Sequence, residues 1–573
     1  MDNKADNQVL SQWLSSEIEQ LGINTVFAVS GGMIVFLLDD IDRSQRVQVV
    51  SMKNEQAAGF AAEGLSRISG KPGIAFATSG PGATNLITAI GSAYFDSSPV
   101  IFVTGQVNTK EKKLSPEQRQ NGFQELDIVS SVRHLTKFAA YVPSAEAFPE
   151  LWREAVAQAT TGRPGPVLLD IPIDVQQKPV GLRELAVETK DAMSHEIDSR
   201  FRKRINRGNR RELRQLAYVS SMIAAAERPL VLAGGGIRLS NTSDLFRSFI
   251  QRTNLPVVNS LMAVDALPST FSQRIGFIGS YGLRDANQTL MESDLLLVLG
   301  SRLDIRQTGP DIGQFKKNKT IVRLDVDRHE LSGRIRSDVE IDLPIREFFQ
   351  SLSDLQLDAK AEAWSSQVQQ RSQAHRDHLE QPELEFNPNR AIQLISQRLK
   401  SCAGYVVDVG QHQMWAAQSA IISESQRFMT SGGMGAMGFS LPAAVGVALS
   451  TDANSDFAVI LGDGCLQMCL PELETIAAMN LNLKIFLFNN RQHGMVAQFQ
   501  ERNTSGRYVA TRKGYSVPDF KRVVEAFDIG YSRADSYESL EDSIVRNCFR
   551  PGPHFFELEI SNHALALPRL GEE

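Results

Sequence analysis

Two polar side chains with the ligand chemistry of a magnesium site follow two successive apolar segments near the end of this chain. The segment FAVILG runs into Gly-Asp-Gly, which places a carboxylate at Asp463, and LKIFLF runs into Asn-Asn, which places an amide oxygen at Asn490. Mg²⁺ is commonly held by one or two such oxygens together with substrate phosphates. A tight turn and an ordinary loop would explain Gly-Asp-Gly alone. The pair of motifs favours a site for magnesium and a diphosphate.

The residues between the two motifs predict the elements that position them. Apolar residues recur there at helical spacing, at Leu466, Leu470, Leu473, Ile476 and Met479. Strand, turn, helix and strand in this order form a βαβ unit with a parallel sheet. Because ligands bind at the carboxyl ends of the strands in such sheets, both motifs fall where a ligand would lie.

A second candidate group is Glu55, which follows the predicted strand Val47–Ser51 and opens a predicted helix, Gln56–Ser69. An isolated Glu at such a place is usually a solvated acid that the helix dipole favours. Burial is the alternative, because the small and apolar residues that follow are not those of a surface helix. Four more strands are predicted in this region, at Ile23–Val29, Gly73–Thr78, Pro99–Thr104 and Val167–Ile171. Residues 1–175 are therefore predicted to form one doubly wound α/β domain.

Length, charge and cysteine content limit the class of protein. The 573 residues exceed a single hydrophobic core and predict three or four domains. The net charge of −6 gives no general attraction to nucleic acid or to an anionic membrane. Four cysteines are few for this length and indicate a reducing compartment. No signal peptide and no apolar run of membrane-spanning length is recognisable, so a cytoplasmic protein is predicted.

The rest of the chain predicts two further doubly wound domains, with polar linkers at 176–215 and 346–385. The central domain, 216–345, has Gly-rich or acidic residues after its predicted strands. That pattern suits phosphate or ribose, but does not by itself distinguish an occupied site from a vestigial one. The basic run 200–214 could bind a polyanion, but a solvated tether is the favoured interpretation. The last domain, 386–573, carries the two motifs described above.

Two separate stretches carry a resemblance to a known family. The unit from Gly462 to Asn490 resembles the signature of thiamin diphosphate (ThDP) enzymes. The stretch NEQAAGFAAEGLSRISGKPGIAFATSGPGATNLITAI is similar to the pyrimidine-binding domain of the acetohydroxyacid (acetolactate) synthase type. The resemblance covers nearly the whole chain and implies a catalytic subunit of three α/β domains. These would be a pyrimidine-binding, a central FAD-binding and a diphosphate-binding domain, each with a doubly wound parallel sheet.

The resemblance implies ThDP and Mg²⁺ as cofactors and assigns residues to both. Mg²⁺ would be held by Asp463, Asn490 and the backbone carbonyl of Gln492. Glu55 would hydrogen-bond N1′ of the aminopyrimidine and so help to remove the proton from C2 of the thiazolium.

Further cofactor contacts follow from the resemblance. Met437, in the glycine-rich stretch SGGMGAMGFSLPAAVGVAL, would hold the cofactor bent, and the carbonyl of Gly435 would receive its 4′-amino group. Without the family, Met437 would be taken as a core methionine. His412 is assigned to cofactor contact rather than to acid catalysis. The other implied contacts are Ser79, Pro81, Asn85, Gly410, Gln411, Gly462, Gly464, Cys465 and Met495.

The central domain is similar to the FAD-binding domain of these synthases in the stretches GGGIRLS, GSRLDIRQTG and RLDVDRHEL. The similarity implies an FAD site, although the flavin performs no net redox chemistry in that family. The implied FAD contacts are Gly234, Gly235, Gly236, Arg302, Asp304, Asp325 and Asp327.

The family also implies residues on the substrate side. Phe123, Gln124 and Lys137 would line the substrate channel as catalytic residues, although Lys137 alone would be taken as a solvated surface lysine. Further substrate contacts would be Gly31, Gly32, Val496 and Phe499. The chain has no adjacent pair of histidines, which simple pyruvate decarboxylases use to release an aldehyde. Transfer of the hydroxyethyl unit of pyruvate to a second carbonyl is therefore favoured.

Several departures from the family lie on the acceptor side. Phe499 stands where the synthase pattern has Trp, and the loop 108–122 is long and charged. The opening GGMIVFLLDDI and the pair Ser280-Tyr281 also differ. The acceptor therefore stays open between a 2-keto acid and a nucleotide-linked keto-deoxysugar. A pyruvate oxidase or a ThDP-binding protein without ligase activity is the alternative from another class.

The family implies an assembly in which active sites lie between subunits. A homodimer is the minimum, a homotetramer is compatible with the sequence, and a regulatory subunit stays open.

Overall fold

The computed structural model describes residues 8–115, 117–181, 214–352, 359–374, 379, 381, 383–451 and 456–568. These residues form three six-stranded sheets, and all strand pairings within the sheets are parallel. The predicted class, α/β with three doubly wound parallel sheets, is confirmed. The chain divides into two compact units. The first unit, residues 1–181 and 378–567, contains the first and third sheets, and the second, residues 182–377 with 568–573, contains the central sheet.

The first sheet has the strand order β2-β1-β3-β4-β6-β5. Its strands are β1 (Thr25–Ala28), β2 (Gln48–Ser51), β3 (Gly73–Ala77), β4 (Val100–Gln106), β5 (Phe138–Tyr141) and β6 (Val167–Pro172). The helices around it are α1 (Leu10–Gln20), α2 (Val35–Arg43), α3 (Glu55–Ser69), α4 (Pro81–Asn85), α5 (Ile87–Asp96), α6 (Ile128–Val132), α7 (Phe148–Thr160) and α8 (Ile173–Gln176). Strands β3, β4 and β6 are buried along their whole length, which explains their continuous apolar sequences.

The central sheet has the order β9-β8-β7-β10-β11-β12, the 3-2-1-4-5-6 order of dinucleotide-binding folds. Its strands are β7 (Pro229–Ala233), β8 (Val257–Asn259), β9 (Arg274–Phe277), β10 (Leu295–Leu299), β11 (Thr320–Leu324) and β12 (Val339–Ile341). After a helical segment at 214–225, its helices are α9 (Gly236–Leu239), α10 (Ser243–Thr253), α11 (Arg284–Glu292), α12 (Ile305–Thr308), α13 (Ile312–Lys316), α14 (Arg328–Leu331), α15 (Ile345–Ser351) and α16 (Ala359–Ala374).

The third sheet has the order β14-β13-β15-β16-β18-β17, which repeats the order of the first. Its strands are β13 (Gly404–Val407), β14 (Arg427–Thr430), β15 (Phe457–Gly462), β16 (Leu483–Asn489), β17 (Gly530–Ala534) and β18 (His554–Glu559). Its helices are α17 (Pro388–Arg398), α18 (Gln411–Ser419), α19 (Ser440–Ser450), α20 (Asp463–Cys469), α21 (Glu472–Ala478), α22 (Gly494–Asn503), α23 (Phe520–Glu525) and α24 (Tyr537–Asn547).

Helices α3 and α19 of the first unit approach each other as closely as glycine permits. Each helix follows the second strand of its sheet in chain order. A Cβ atom on Gly64 would lie 2.2 Å from the carbonyl oxygen of Ala443, and a Cβ atom on Gly446 would lie 1.8 Å from that of Ala61. The contact is therefore reciprocal, with Ala-Ala-Glu-Gly on α3 facing Ala-Ala-Val-Gly on α19. Both helices contribute to one apolar core.

The structure differs from the predicted elements in two respects. Short strands such as β5, β14 and β17 were not predicted, because β5 and β14 have only four residues each and β17 is partly exposed and polar. The single helix expected from Leu466 to Met479 is two helices, α20 and α21. Pro471 lies at the break, where it lacks a backbone N–H and its ring would clash with the preceding turn.

The predicted linkers lie only partly within the described residues. Nearly all of the basic run 200–214, and most of 176–215, lie outside them. The part of 346–385 that forms α16 is not a solvated linker, because Trp364 and Val368 are buried in the core of the central domain. Among the described helices, none combines the length and apolar character needed to cross a membrane.

Candidate active site

The two halves of the third sheet diverge between β13 and β15, which are neighbours although β14 lies between them in the chain. Ligands bind outside the carboxyl ends of the strands at such a switch point. Asp408 follows β13 and Asp463 follows β15, while Asn490 follows the adjacent β16. The fold thus brings three of the polar residues that end its strands to one edge of the sheet.

The carboxylate of Asp463 is buried and only half satisfied. Its Oδ1 atom accepts hydrogen bonds from the backbone N–H of Gly464 (2.7 Å) and the hydroxyl of Tyr515 (3.0 Å). Its Oδ2 atom is buried and has no hydrogen-bond partner among the described residues. Burial raises the pKa of Asp463 to about 6, against the opposing effect of these two donors and of the backbone N–H groups of Arg491 and Gln492. A buried, unpaired carboxylate oxygen is unfavourable unless a cation meets it, so this atom fits a magnesium ligand.

The predicted partners of Asp463 also present oxygen atoms. The Asn490 side chain donates from Nδ2 to Oε1 of Gln411 (3.0 Å), which fixes the amide and commits its nitrogen rather than its oxygen. Arg491 has φ = 56°, so the chain turns sharply between Asn490 and Gln492. The Gln492 side chain is engaged at both ends, by Asn562 and Arg512. Its backbone carbonyl is therefore the group that suits the predicted ligand.

His412 lies in a slot formed by two glycines. A Cβ atom placed on Gly410 would lie 2.6 Å from the His412 ring, and one placed on Gly462 would lie 2.9 Å from it. Neither position therefore admits a side chain without displacing the ring. Burial lowers the pKa of His412 to about 4, although nearby Asp408 opposes this effect. The imidazole is therefore neutral at pH 7, which suits hydrogen bonding to a ligand better than acid catalysis.

Asp408, His412 and Cys465 place ligand atoms within 4.8 Å of one another, as a metal site would. The Asp408 oxygens, however, accept backbone N–H groups of Val409, Gly438 and Ser440 at 2.7–2.9 Å. Burial raises the pKa of the Cys465 thiol well above its usual value, and Sγ donates to the carbonyl of Val409 (3.1 Å). A protonated thiol is a poor metal ligand, so this cluster is a hydrogen-bonded anchor.

Asp408 holds the glycine-rich loop before α19 through hydrogen bonds to its backbone. Its bonds to Gly438 and Ser440 fix the end of the loop, and Gly435 and Gly438 have φ values of 68° and 80°, which favour glycine. The methyl group of Met437 would lie 3.3 Å from a Cβ atom on Gly464. Met437 therefore lies beside the Gly-Asp-Gly turn.

The same loop is also held by residues of the first domain, which the sequence interpretation missed. The Asp96 carboxylate accepts the N–H groups of Gly432 (3.0 Å) and Gly433 (2.7 Å). Arg67 donates to the carbonyl of Thr430 (2.8 Å) and lies 3.9 Å from Asp96. One signal was available, because Asp96 ends α5, where the helix dipole disfavours an acid.

Glu63 completes this buried group of charges. It is fully buried, lies 3.6 Å from Arg67 and accepts a hydrogen bond from Ser98 (3.0 Å). Burial and the neighbouring Asp96 raise its pKa to about 7, against the effect of Arg67. Glu63 lies between Ala62 and Gly64 on α3, at the helix contact described above.

Glu55 is the first residue of α3 and is 9% exposed, so the buried alternative is correct. Its Oε2 atom accepts a hydrogen bond from Nδ2 of Asn85 (2.9 Å), and Oε1 would lie 3.2 Å from a Cβ atom on Gly82. Asn54 caps the helix by accepting from the N–H of Gln56 (2.8 Å). The structure thus brings Glu55 and Asn85 together at the end of the first sheet.

The other predicted residues of the first domain surround the β3 end. Pro81 opens α4, and Ser79 is buried with an Oγ atom that has no partner among the described residues. A Cβ atom on Gly31 would lie 2.5 Å from Thr78, whereas Gly32 faces open space. Gln124 has φ = 66°, and a Cβ atom placed on Gly80 would lie 2.9 Å from the Cβ atom of Gln124.

Two predicted channel residues lie apart from this cluster or face outward. Phe123 is 79% exposed. Lys137 donates from Nζ to the carbonyl of Thr161 (2.8 Å), just after the end of α7. That contact is the one a lysine makes at a helix C-terminus.

The predicted substrate residues of the third domain, Val496 and Phe499, lie on α22, as does the predicted cofactor contact Met495. Met495 and Val496 are in its first turn, and Phe499 follows three residues after Val496 on the same face. Val496 and Phe499 are 51% and 56% exposed. They form a small apolar surface that this chain leaves uncovered.

The predicted FAD residues of the central domain end β7, β10 and β11. A Cβ atom on Gly234 would lie 2.1 Å from the carbonyl of Gly300, and one on Gly236 would lie 2.8 Å from its Cα atom, so packing between the two loops requires these glycines. A Cβ atom placed on Gly235 would have more room, because its nearest neighbour would be the Cβ atom of Met262 at 3.1 Å. The Arg302 carbonyl accepts a hydrogen bond from Arg323 (3.4 Å).

The three acids of this domain are engaged within their own loops. Both carboxylate oxygens of Asp304 accept hydrogen bonds, from the N–H of Arg306 and the amide of Gln307 (2.8 Å each). Asp327 caps α14, and its own N–H donates to Asp325 (3.0 Å). Asp304 and Asp327 therefore serve as helix caps, whereas the resemblance implied contacts with FAD.

Comparison with known families matches three successive parts of the chain. Residues 8–131 match the thiamine pyrophosphate enzyme, N-terminal TPP binding domain. Residues 216–352 match the central domain and residues 408–558 the C-terminal TPP binding domain of the same enzymes.

Full-length relatives agree with these matches. The acetolactate synthase large subunit of Lactococcus lactis subsp. lactis is 31% identical over 565 residues, which cover 98% of this chain and 94% of the relative. The isozyme 2 large subunit of Escherichia coli is 32% identical, with 96% and 95% covered. The acetolactate synthase large subunit of Corynebacterium glutamicum is 34% identical, with 92% and 83% covered.

Proposed function

This chain belongs to the thiamin diphosphate-dependent enzymes of the acetolactate synthase family, and we propose that it decarboxylates pyruvate and joins the two-carbon unit to a second carbonyl compound. It is an enzyme that forms carbon–carbon bonds with ThDP. The single observation that supports the chemistry best is the buried, unpaired Oδ2 atom of Asp463 beside Asn490 at the switch point of the third sheet.

Asp463, Asn490 and the backbone carbonyl of Gln492 would hold Mg²⁺. When bound, ThDP supplies the electron sink for loss of carbon dioxide, and the metal neutralises its diphosphate. The third domain would bind this end of the cofactor, because His412 provides a neutral hydrogen-bonding group between two residues without side chains, Gly410 and Gly462.

Glu55 would hold or supply the proton at the pyrimidine end. Its buried carboxylate is oriented by Asn85, and Oε1 is left beside the small Gly82. A carboxylate in this position can stabilise a protonated ring nitrogen and so assist removal of a proton elsewhere on the cofactor.

We propose a homodimer, in which the pyrimidine end and the diphosphate end of the cofactor are bound in one site. The described hydrogen bonds of Glu55 stay within the first domain, and those of Asp463 stay within the third. Several large apolar side chains of the same unit are exposed, as expected of a surface that a second copy covers. They are Val35, Leu114, Phe123, Met434, Met468, Val496, Phe499 and Val509.

FAD is proposed as an additional ligand of the central domain. The 3-2-1-4-5-6 strand order and the glycine loops after β7 and β10 support a dinucleotide at this switch point. Asp304 accepts one hydrogen bond on each carboxylate oxygen, and each oxygen keeps a second lone pair with which it can accept a hydrogen bond from the ligand.

The acceptor is proposed to be a second molecule of pyruvate, with a nucleotide-linked keto-sugar as the alternative. The alternative is favoured by one observation, the exposed Phe499 where the synthase pattern has the larger Trp. A smaller side chain at a pocket wall weakens the exclusion of larger substrates.

The purified enzyme with pyruvate, ThDP, Mg²⁺ and FAD should form acetolactate, which acid converts to acetoin for colorimetric assay. Omitting Mg²⁺ and adding EDTA should abolish the product. If no acetolactate forms and an added keto-sugar nucleotide stimulates decarboxylation of pyruvate, the alternative acceptor is the correct one.

Glu55→Gln tests the chemistry independently of the acceptor. We expect hydrogen–deuterium exchange at C2 of bound ThDP to slow by roughly 10²-fold or more, while binding of Mg²⁺ and ThDP stays within a few-fold of the wild type. Glu538→Gln is the matched control, because Glu538 is an exposed glutamate in the first turn of α24. Undiminished C2 exchange in Glu55→Gln would disprove the proton role.

A further inference from the structure

A tyrosine that belongs to neither metal motif contacts the predicted metal ligand. Tyr515 lies in the segment between α22 and α23, outside regular helices and strands. Its hydroxyl donates to Oδ1 of Asp463 (3.0 Å) and accepts from Nε2 of Gln467 (3.0 Å). Its ring lies 4.5 Å from that of His493, which itself packs on Gly464.

These contacts leave the two oxygens of Asp463 in different states. Oδ1 has two donors, the N–H of Gly464 and the hydroxyl of Tyr515, whereas Oδ2 has none among the described residues and is buried. Partial rotation of the carboxylate about its Cβ–Cγ bond would break both hydrogen bonds, whereas a half-turn would only exchange two equivalent oxygens. The side chain is therefore fixed with Oδ2 directed away from its donors.

The Gly464 bond alone would not fix this orientation as firmly. It comes from the adjacent residue, and a backbone N–H can donate to either oxygen of a rotating carboxylate. The phenol approaches from a distant segment and is itself held by Gln467 and by the His493 ring. It therefore fixes the plane of the carboxylate, and with it the direction in which the uncommitted oxygen points.

We propose that Tyr515 is a positioning residue for the metal site, which orients Asp463 so that Oδ2 alone is presented to the divalent cation. This inference rests on the proposed function, because it assigns the cation to Asp463. Tyr515 does not touch the cation or the substrate in this role. It acts through the carboxylate, and Gln467 acts one step further out by holding the phenol.

The test measures metal binding rather than catalysis. Mn²⁺ replaces Mg²⁺, and its binding to the full-length protein with saturating ThDP is followed by electron paramagnetic resonance. Groups that orient a metal ligand contribute about 10- to 100-fold to metal affinity. For Tyr515→Phe we expect the Mn²⁺ Kd to rise at least tenfold, and kcat at saturating Mg²⁺ to stay within about twofold of the wild type.

Two further variants make the result specific. Tyr508→Phe removes a hydroxyl from the same segment, where Arg512 lies over the ring, and should leave the Kd unchanged. Gln467→Met removes the support of the phenol and should raise the Kd by roughly threefold, the effect of one ordinary hydrogen bond.

The outcomes separate this inference from the proposed function. An unchanged Mn²⁺ Kd in Tyr515→Phe, or an equal rise in Tyr508→Phe, would overturn the positioning role while leaving the metal site in place. A fall in kcat with an unchanged Kd would also overturn it, because Tyr515 would then act on the reaction itself. Absence of ThDP-dependent Mn²⁺ binding in the wild type would instead refute the proposed metal site.

Discussion

Replacing Gly446 by Ala would place a methyl group where the structure has no room for one. Its Cβ atom would lie 1.8 Å from the carbonyl oxygen of Ala61 on α3, and 2.7 Å from the carbonyl carbon. Both obstacles are backbone atoms in a helix, so no side chain can rotate away. Helices α3 and α19 would have to separate.

The separation follows from the distances. Cβ atoms essentially never approach other heavy atoms within 3.0 Å, so the helices must move apart by about 1.2 Å or more. Overpacking of this kind costs about 1–3 kcal/mol, and occasionally more. The better helix propensity of Ala returns about 1 kcal/mol. Because the clash is with backbone, we expect the cost to dominate, with a net destabilisation of about 2 kcal/mol.

Urea unfolding followed by tryptophan fluorescence is a suitable assay, because Trp13, Trp152 and Trp415 all lie in the first unit. Gly91→Ala is the control, since its Cβ atom would meet the sulfur (2.5 Å) and methyl carbon (3.1 Å) of Met434, a flexible and exposed side chain that can move aside, and no backbone atom within 3.9 Å. We expect a lower urea midpoint for Gly446→Ala and no loss for Gly91→Ala. A wild-type midpoint for Gly446→Ala would refute the close contact between the helices.

Two further predictions concern buried acids. Burial raises the pKa of Asp170 to about 7, whereas it is about 3.9 in the unfolded chain. The protonated carboxyl group therefore stabilises the fold at pH 4, and up to about 4 kcal/mol of this stabilisation is lost as the pH rises towards 7. Asp170→Asn can keep partners for Thr104 and Gln106, and should therefore show a smaller fall in urea midpoint between pH 5 and pH 8 than the wild type; an equal fall would contradict the prediction. Asp96→Asn replaces one acceptor of the loop N–H groups by a donor and should raise the KM for ThDP by about tenfold, measured by activity against cofactor concentration. An unchanged KM would mean that Asp96 does not position the loop.

The fully buried strands could be predicted from the sequence because their residues are apolar on both faces. Strand β15 and the Asp463 turn after it were found in this way, since a parallel strand and its polar end occupy adjacent positions in the chain. Edge strand β17 was not found, because Gly530–Ala534 is half exposed and its sequence, GYSRA, has no apolar run. Local pattern identifies a strand most readily where burial is continuous over several residues, although β8 is buried along its three residues and was missed.

The contacts of the candidate site were predictable to a smaller extent. Asp463 and Glu55 were found because each follows a strand directly, and the fold alone brings such positions to the sheet edge. Tyr515 and Asp96 were missed because their roles depend on the path of the chain between distant segments. Nothing in the residues around Tyr515 encodes its distance from Asp463, 52 positions earlier.

The first and third domains share one strand order and face each other through matching helices. Ala61 meets Gly446, and Ala443 meets Gly64, so the same pair of residues meets twice, as in the two-fold interface of a symmetric dimer. The two domains therefore pack within one polypeptide as two subunits of a symmetric dimer would. The symmetry is broken where Glu63 on one helix corresponds to Val445 on the other, so the ionisable group lies on the helix that carries Glu55.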